Sequence, residues 1–199
     1  MYDDEFELTF DLSDEDKASR APEPEQEPVQ EAAPEPAAET EPPVEAVPEP
    51  AVPAANGRCV LISGGDRGIG AAAARAFWQA GYRVAVLYHT HAEAAAALEK
   101  ALPGLLAVQC DVASRASCEV AFHTVEQAVG HVDVLVSNAG IAQQKLFTDI
   151  TPEEWQHMLD VNLSGAFHLC QLALPGMIRR KAGRILTVSS MWGQTGGSC

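Results

Sequence analysis

The first 56 residues of this 199-residue chain contain no glycine and only two basic residues, Lys17 and Arg20. They hold seventeen of the twenty-eight acidic residues and ten of the thirteen prolines, and so carry the entire net charge of −15. Such acidity argues against nucleic acid and anionic membrane as partners of this segment. Apolar surface is scarce as well: Pro, Glu and Ala dominate "APEPEQEPVQEAAPEPAAETEPPVEAVPEP". Ordering a chain costs roughly 1–2 kcal/mol per residue in backbone entropy. The segment is therefore expected to be disordered and extended, with polyproline II character, serving as a tether or solubilising spacer. The amino terminus lacks a basic region followed by an apolar run, which argues against a secretory signal. No apolar stretch approaches the length of a membrane span. The five cysteines are odd in number, form no C-x-x-C pair and have no histidines at metal spacing. The pattern points to neither a disulfide framework nor a cysteine–histidine metal centre, and the thiols read as reduced and mostly buried in a cytoplasmic protein.

What is present divides near Gly57. Residues 1–56 form the tail; residues 57–199 hold all fifteen glycines and balance eleven acids with eleven bases. Within the tail, "EFELTFDL" alternates Phe6, Leu8, Phe10 and Leu12 with polar residues. This period of two suits a strand added to the sheet edge of a protein partner, so residues 6–12 are a candidate docking segment.

The second part alternates short apolar runs with helical segments. Strands are expected at 58–63, 83–88, 105–110, 132–137 and 184–189. A helix follows the glycine-rich turn after the first strand and stops near Gly81. Others are expected in the alanine-rich run ending before Pro103-Gly104 and at 114–129. Thr151, Pro152 and Glu154 have the spacing of a capped helix start with a capping box. One long helix should run from there, carrying Trp155, Leu159, Leu163, Phe167 and Leu174, to the basic run Arg179-Arg180-Lys181 before Gly183. Near-continuously apolar strands alternating with helices predict a doubly wound parallel α/β sheet. Its ligand should lie at the carboxyl ends of the strands.

The motifs sit at those ends. "SGGDRGIG" (63–70) joins the first strand to the first helix, with Gly64, Gly68 and Gly70 spaced G-x-x-x-G-x-G. Glycines let the backbone turn sharply and approach a pyrophosphate on the helix amino terminus. "CDV" (110–112) ends the third strand, "SNAG" (137–140) the fourth, "DVNLSGAF" carries Asn162, and Ser190 follows the fifth. In this order the motifs resemble the short-chain dehydrogenase/reductase family, nearest to its 3-oxoacyl-[acyl-carrier-protein] reductase-like members, over residues 57–199. The resemblance implies a Rossmann fold and a nicotinamide dinucleotide. It implies that Gly64, Gly68, Ile69 and Gly70 form the cofactor loop and that Asp111 and Val112 contact the adenine end. Asn138, Ala139 and Gly140 would brace the central strand beside the cofactor. Asn162 would hold a proton-relay water, and Ser190 would hydrogen-bond the substrate carbonyl. From the residues alone, Asp111 also reads as a helix N-cap, Asn138 as a turn former and Asn162 as a side chain bonding a neighbouring carbonyl.

Cofactor choice has a physical handle. NAD-type sites place a carboxylate at the end of the second strand to accept from the ribose 2′-hydroxyl. Here Tyr88 is followed by His89, Thr90 and His91, with no acid before Glu93. Arg67, just before Gly68, suits a 2′-phosphate, so NADP(H) is expected over NAD(H). The resemblance also implies a Tyr-x-x-x-Lys motif roughly a dozen residues after the catalytic serine. Nine residues follow Ser190, and none is tyrosine or lysine. The expectation is a C-terminally incomplete domain with little activity of its own, whose fifth strand is an apolar edge prone to association. A full-length relative would be a homo-oligomer reducing a small-molecule or acyl-carrier-bound carbonyl. A second reading is a catalytically inactive dinucleotide-binding module tethered by its acidic tail.

Overall fold

The computed structural model describes residues 53–190 and 193; the acidic tail through residue 52, with the candidate docking segment at 6–12, lies outside the described residues. Aliphatic runs without polar interruption must be covered on both faces. The five that form strands are β1 (Cys59–Ser63), β2 (Arg83–Tyr88), β3 (Leu106–Gln109), β4 (Val134–Ser137) and β5 (Arg184–Thr187). They pair in parallel in the order β3-β2-β1-β4-β5. The helices are α1 (Gly68–Gln79), α2 (Ala92–Ala101), α3 (Arg115–Val129), α4 (Pro152–Leu159) and α5 (Gly165–Arg180). This is the expected doubly wound arrangement, with its switch point between β1 and β4.

Alternation along the strands sorts the core into two layers. Val60 and Ile62 of β1, Val84 and Val86 of β2, and Val134 and Val136 of β4 pack with Ala74 and Trp78 of α1 and Leu98 of α2. The intervening Cys59, Leu61, Ala85, Leu87 and Leu135 pack with Phe122 and Val125 of α3 and Leu169 and Met177 of α5. Trp78 is nearly buried, and its indole N–H donates to the Pro103 carbonyl at 3.0 Å, tying α1 to the turn before β3. A buried indole keeps its donor satisfied in this way.

Asp133 organises the rim where the strands begin. Its Oδ2 accepts from the Cys59 N–H at 2.9 Å, and its own N–H donates to the Cys59 carbonyl at 2.9 Å. Its carbonyl accepts from the Arg184 N–H at 3.0 Å, and Oδ1 lies 3.6 Å from the Arg180 guanidinium. One residue thus joins the starts of β1, β4 and β5 to the end of α5.

The single long helix expected after Thr151 is interrupted. The capping box forms as read, with Thr151 Oγ1 accepting from the Glu154 N–H and Glu154 Oε2 accepting from the Thr151 N–H. A π-helical stretch, Asp160–Ser164, then separates α4 from α5. The helix crosses tightly over the end of β3 at this point. A methyl group on Gly165 would lie 2.9 Å from a Val112 side-chain carbon, so only glycine fits. The inserted residue lets Asn162 leave the regular ladder and reach toward β4, as π-bulges commonly do at functional positions. Of the apolar residues on this helix, Trp155, Leu163, Phe167 and Leu174 are exposed. The helix ends with Lys181 itself in the left-handed region (φ 52°) rather than with Gly183. Gly183 instead faces the Met177 side chain at a distance no Cβ could occupy. β5 is an edge among the described strands, and Leu186 on it is half exposed.

Candidate dinucleotide site

A cleft of about 370 Å³ opens at the carboxyl ends of β1, β2, β3 and β4. Its floor is the glycine loop after β1, where Gly64 and Gly68 both adopt positive φ (60° and 54°) that a side chain resists. A Cβ on Gly70 would collide with the Gly64 carbonyl and approach the Asn138 amide, so this glycine lies behind the cleft wall and lets the loop close on itself. The loop is stitched to the end of β4. Fully buried Ser63 accepts from the N–H groups of Asn138 at 3.0 Å and Ala139 at 3.1 Å through its hydroxyl. The Asn138 side-chain amide donates back to the carbonyls of Ser63 at 3.0 Å and Gly64 at 2.9 Å. Asn138 is therefore a brace between the two strands at the switch point and more than a turn former.

The amino terminus of α1 points into this cleft. Its N-cap is Arg67, which supplies no side-chain cap, and no acid occupies the first turn. The first-turn N–H groups and the positive end of the helix dipole are left for an anion. Arg67, Gly68 and Ile69 line the cleft there, and among the described residues no carboxylate pairs with the exposed Arg67. This combination fits the pyrophosphate of a dinucleotide: backbone donors, no Cβ in the way and one exposed guanidinium.

At the far wall, Asp111 and Val112 follow β3. Asp111 Oδ1 accepts from the Ala113 N–H at 3.0 Å. The N-cap of α3 is Ser114, whose hydroxyl accepts from the Ser117 N–H, so Asp111 is not the helix cap. Cys110 also lines the cleft and touches Cys118 at 4.0 Å. That contact, with burial, pushes the Cys118 thiol up. Asp66, inside the glycine loop, and His91, beyond β2, line the cleft as well, and Asp66 Oδ2 lies 3.6 Å from His91 Nδ1. Sequence reasoning passed over Asp66, although a lone carboxylate among loop glycines was the available signal. It also passed over Ile141, His157 and Val161, whose approach to the cleft depends on how α4 docks.

The two residues expected at the reacting end stand differently. Asn162 Oδ1 accepts from the Ile141 N–H at 2.8 Å, and its Nδ2 donates to the Ile141 carbonyl at 3.0 Å. Both halves of its amide thus hold the loop after Gly140, and Gly140 sits against Asn162 Oδ1 where a Cβ would lie 3.1 Å away. Ser190 is exposed, three residues past β5, and is not among the cleft-lining residues. Its carbonyl accepts from the Gly193 N–H at 3.0 Å. The structure therefore brings together Gly64, Arg67, Gly68, Ile69, Asp111, Val112, Asn138, Ala139 and Gly140, sets Gly70 and Asn162 behind them, and leaves Ser190 apart. Among the described residues there is no His, Cys, Asp and Glu cluster suited to a metal ion.

Comparison with known proteins accords with this layout. The family model described as short chain dehydrogenase matches residues 58–199. The chain is 40% identical over 139 residues to the acetoacetyl-CoA reductase of Shinella zoogloeoides, covering 70% of this chain and 57% of that protein. It is 40% identical over 144 residues to the 3-oxoacyl-[acyl-carrier-protein] reductase MabA of Mycobacterium avium, covering 71% and 53%. The crystal structure of gox2181 superposes with a TM-score of 0.64 at 32% identity, over 69% of this chain and 55% of that one. The chain spans about half the length of the curated relatives it matches. From the glycine loop on an uncapped helix, the Ser63–Asn138 stitch and a family match over most of the sequence, the conclusion is that the chain belongs to the short chain dehydrogenase family.

Proposed function

We propose that residues 57–199 form the dinucleotide-binding part of an NADP(H)-dependent reductase that converts a 3-oxoacyl thioester to its 3-hydroxy product. The observation that carries the reading is the glycine loop opening onto the uncapped amino terminus of α1, with Arg67 at its lip. The substrate class follows the relatives, since an acetoacetyl-CoA reductase and a 3-oxoacyl-carrier-protein reductase both act on 3-oxoacyl thioesters. When bound, a reduced nicotinamide supplies the hydride.

The residues of the chain bind and orient. Gly64, Gly68, Ile69 and Gly70 let the backbone approach the pyrophosphate, and the α1 dipole favours its charge. Arg67 opposes a 2′-phosphate as a planar, permanently charged donor. Asp111 and Val112 border the adenine, while Asn138, Ala139 and Gly140 hold the wall next to the nicotinamide end. Asn162 positions the loop after Gly140 and a proton-relay water beside it. Ser190 donates to the substrate carbonyl oxygen, which requires its segment to approach the cleft.

The activity belongs in this reading to the whole protein, whose relatives are nearly twice as long as the matched span. Self-association through exposed Trp155, Phe167 and Leu174 and a cytoplasmic location, suited to the free thiols Cys59, Cys110 and Cys118, are part of the proposal. The test is NADPH oxidation by the whole protein, followed by absorbance with acetoacetyl-CoA as substrate. Turnover with NADPH exceeding that with NADH is expected. No turnover of any 3-oxoacyl thioester with either cofactor would overturn the reading.

A further inference from the structure

A carboxylate is the one residue type in a glycine loop that works against an anionic ligand. Asp66 stands between Gly65 and Arg67, lines the cleft and leaves only 6% of its side chain exposed. Its Oδ2 is buried and accepts no hydrogen bond among the described residues. The group positioned to compensate it is His91, whose Nδ1 lies 3.6 Å away. That distance is an ion-pair contact and too long for a hydrogen bond. Thr90 Oγ1 competes for the same nitrogen at 3.3 Å. His91 comes three residues after β2, at the strand end where doubly wound folds recognise the adenosine ribose.

A buried carboxylate needs a partner charge. Here the partner is a histidine, a residue type that changes charge between about pH 5 and 8. Other charged or titratable groups share the space: Arg67 in the loop, Tyr88 and His89 after β2, Asp111 after β3 and His157 on α4. Glu93 lies in the first turn of α2, two residues past His91.

Resting on the assignment of the cleft to a dinucleotide, we propose that Asp66 and His91 together select between a 2′-phosphate and a 2′-hydroxyl on the adenosine ribose. With His91 protonated, the pair is neutral, and Arg67 governs the site, so the phosphate is accepted. With His91 neutral, the Asp66 charge stands alone and repels the phosphate, while a ribose bearing only hydroxyls meets no such repulsion. The chain then binds NADP(H) best in mild acid and loses that advantage as pH rises.

The test is titration calorimetry of the full chain with NADP⁺ and NAD⁺ between about pH 6 and 8. It compares the unaltered protein with Asp66→Asn, His91→Gln and, as a control, His123→Gln on the exposed face of α3 outside the cleft; circular dichroism melts at each pH establish that each is folded. The ratio of NADP⁺ to NAD⁺ affinity, divided by that of Asp66→Asn, should fall about tenfold across this range in the unaltered protein and in His123→Gln. Relative to the unaltered protein, Asp66→Asn should show a higher ratio by a factor that grows as pH rises, and His91→Gln a lower ratio by a factor that shrinks as pH rises. Titration of the 2′-phosphate itself acts on all four proteins alike and cancels in the comparison. An Asp66→Asn profile parallel to that of the unaltered protein overturns the selector and leaves the dinucleotide site standing. Failure of either dinucleotide to bind the folded chain at any pH overturns the site, and the selector with it.

Discussion

Replacing Asn138 tests whether the stitch between β1 and β4 holds the cleft together. Its amide nitrogen donates to two main-chain carbonyls, at 2.9 and 3.0 Å. A hydrogen bond of this kind contributes about 1 kcal/mol net, so Asn138→Ala should cost about 2 kcal/mol. Asn138→Asp keeps the size but sets a third acceptor, now charged, against the two carbonyls. It should cost more than the alanine variant, about 3–4 kcal/mol at neutral pH. For a domain of this size about 1 kcal/mol shifts the melting temperature by about 3–4 °C, so the two variants should melt about 7 and 12 °C lower. The carboxyl introduced by Asn138→Asp can donate one bond only when protonated, which raises its folded-state pKa. Stability of that variant is therefore greatest in acid and falls as pH rises past about 4, where unfolded-state aspartate ionises. Circular dichroism melts at two pH values check both statements. If Asn138→Asp melts at neutral pH no lower than Asn138→Ala, the brace is not made by the amide donor.

Three further outcomes are expected. The Lys145 ammonium, then the Thr151 N–H, hold the Glu154 carboxyl down to about 2, and 34% of that side chain is exposed. Its contribution is present above about pH 4.5 and lost as pH falls toward about 2; a carbon-detected NMR titration of the Glu154 carboxyl should move upward in Lys145→Met, and an unmoved midpoint counts against the pair. Burial pushes the Cys59 thiol up to about 11, so peptide mapping after alkylation near neutral pH should find Cys59 unmodified until the chain is unfolded. Reversing the charge at Arg67 with Arg67→Glu should weaken NADP⁺ binding at least about tenfold and change NAD⁺ binding by less, as fluorescence titration would record; equal losses for the two would contradict a phosphate contact.

The strand positions, the glycine loop and the capping box at Thr151 were legible because each is a local consequence of residue type. Apolar runs of four to six residues between glycine turns leave few alternatives to buried parallel strands, and Thr-Pro-x-Glu satisfies a helix start from its own side chains. The break at Asp160–Ser164 was not legible, because it arises from how closely Gly165 must pass Val112, a contact between residues more than fifty positions apart. The exposure of Trp155 and Phe167 was hidden for the same reason: a period of 3.6 shows that a stripe exists but not what covers it. In the cleft, the spacing of Gly64, Gly68 and Gly70 announced the loop. The standing of Asp66 depended on meeting His91, which only the pairing of β1 with β2 brings about.

Asp133 gives this sheet a fixed starting rim. Bonds from one residue lock the starting ends of β1, β4 and β5, while the opposite ends run into loops that line the cleft. The sheet is thus held at both ends of its central strands, by Asp133 at the starting rim and by the Ser63–Asn138 stitch beside the cleft. Amide hydrogens of Cys59, Asp133, Asn138 and Ala139 should exchange only with global unfolding, whereas those of Arg67, Gly68 and Gly140 should exchange by smaller local openings. Whatever enters the cleft therefore meets a floor already set by the strands, and any adjustment falls to the loops beyond the stitch.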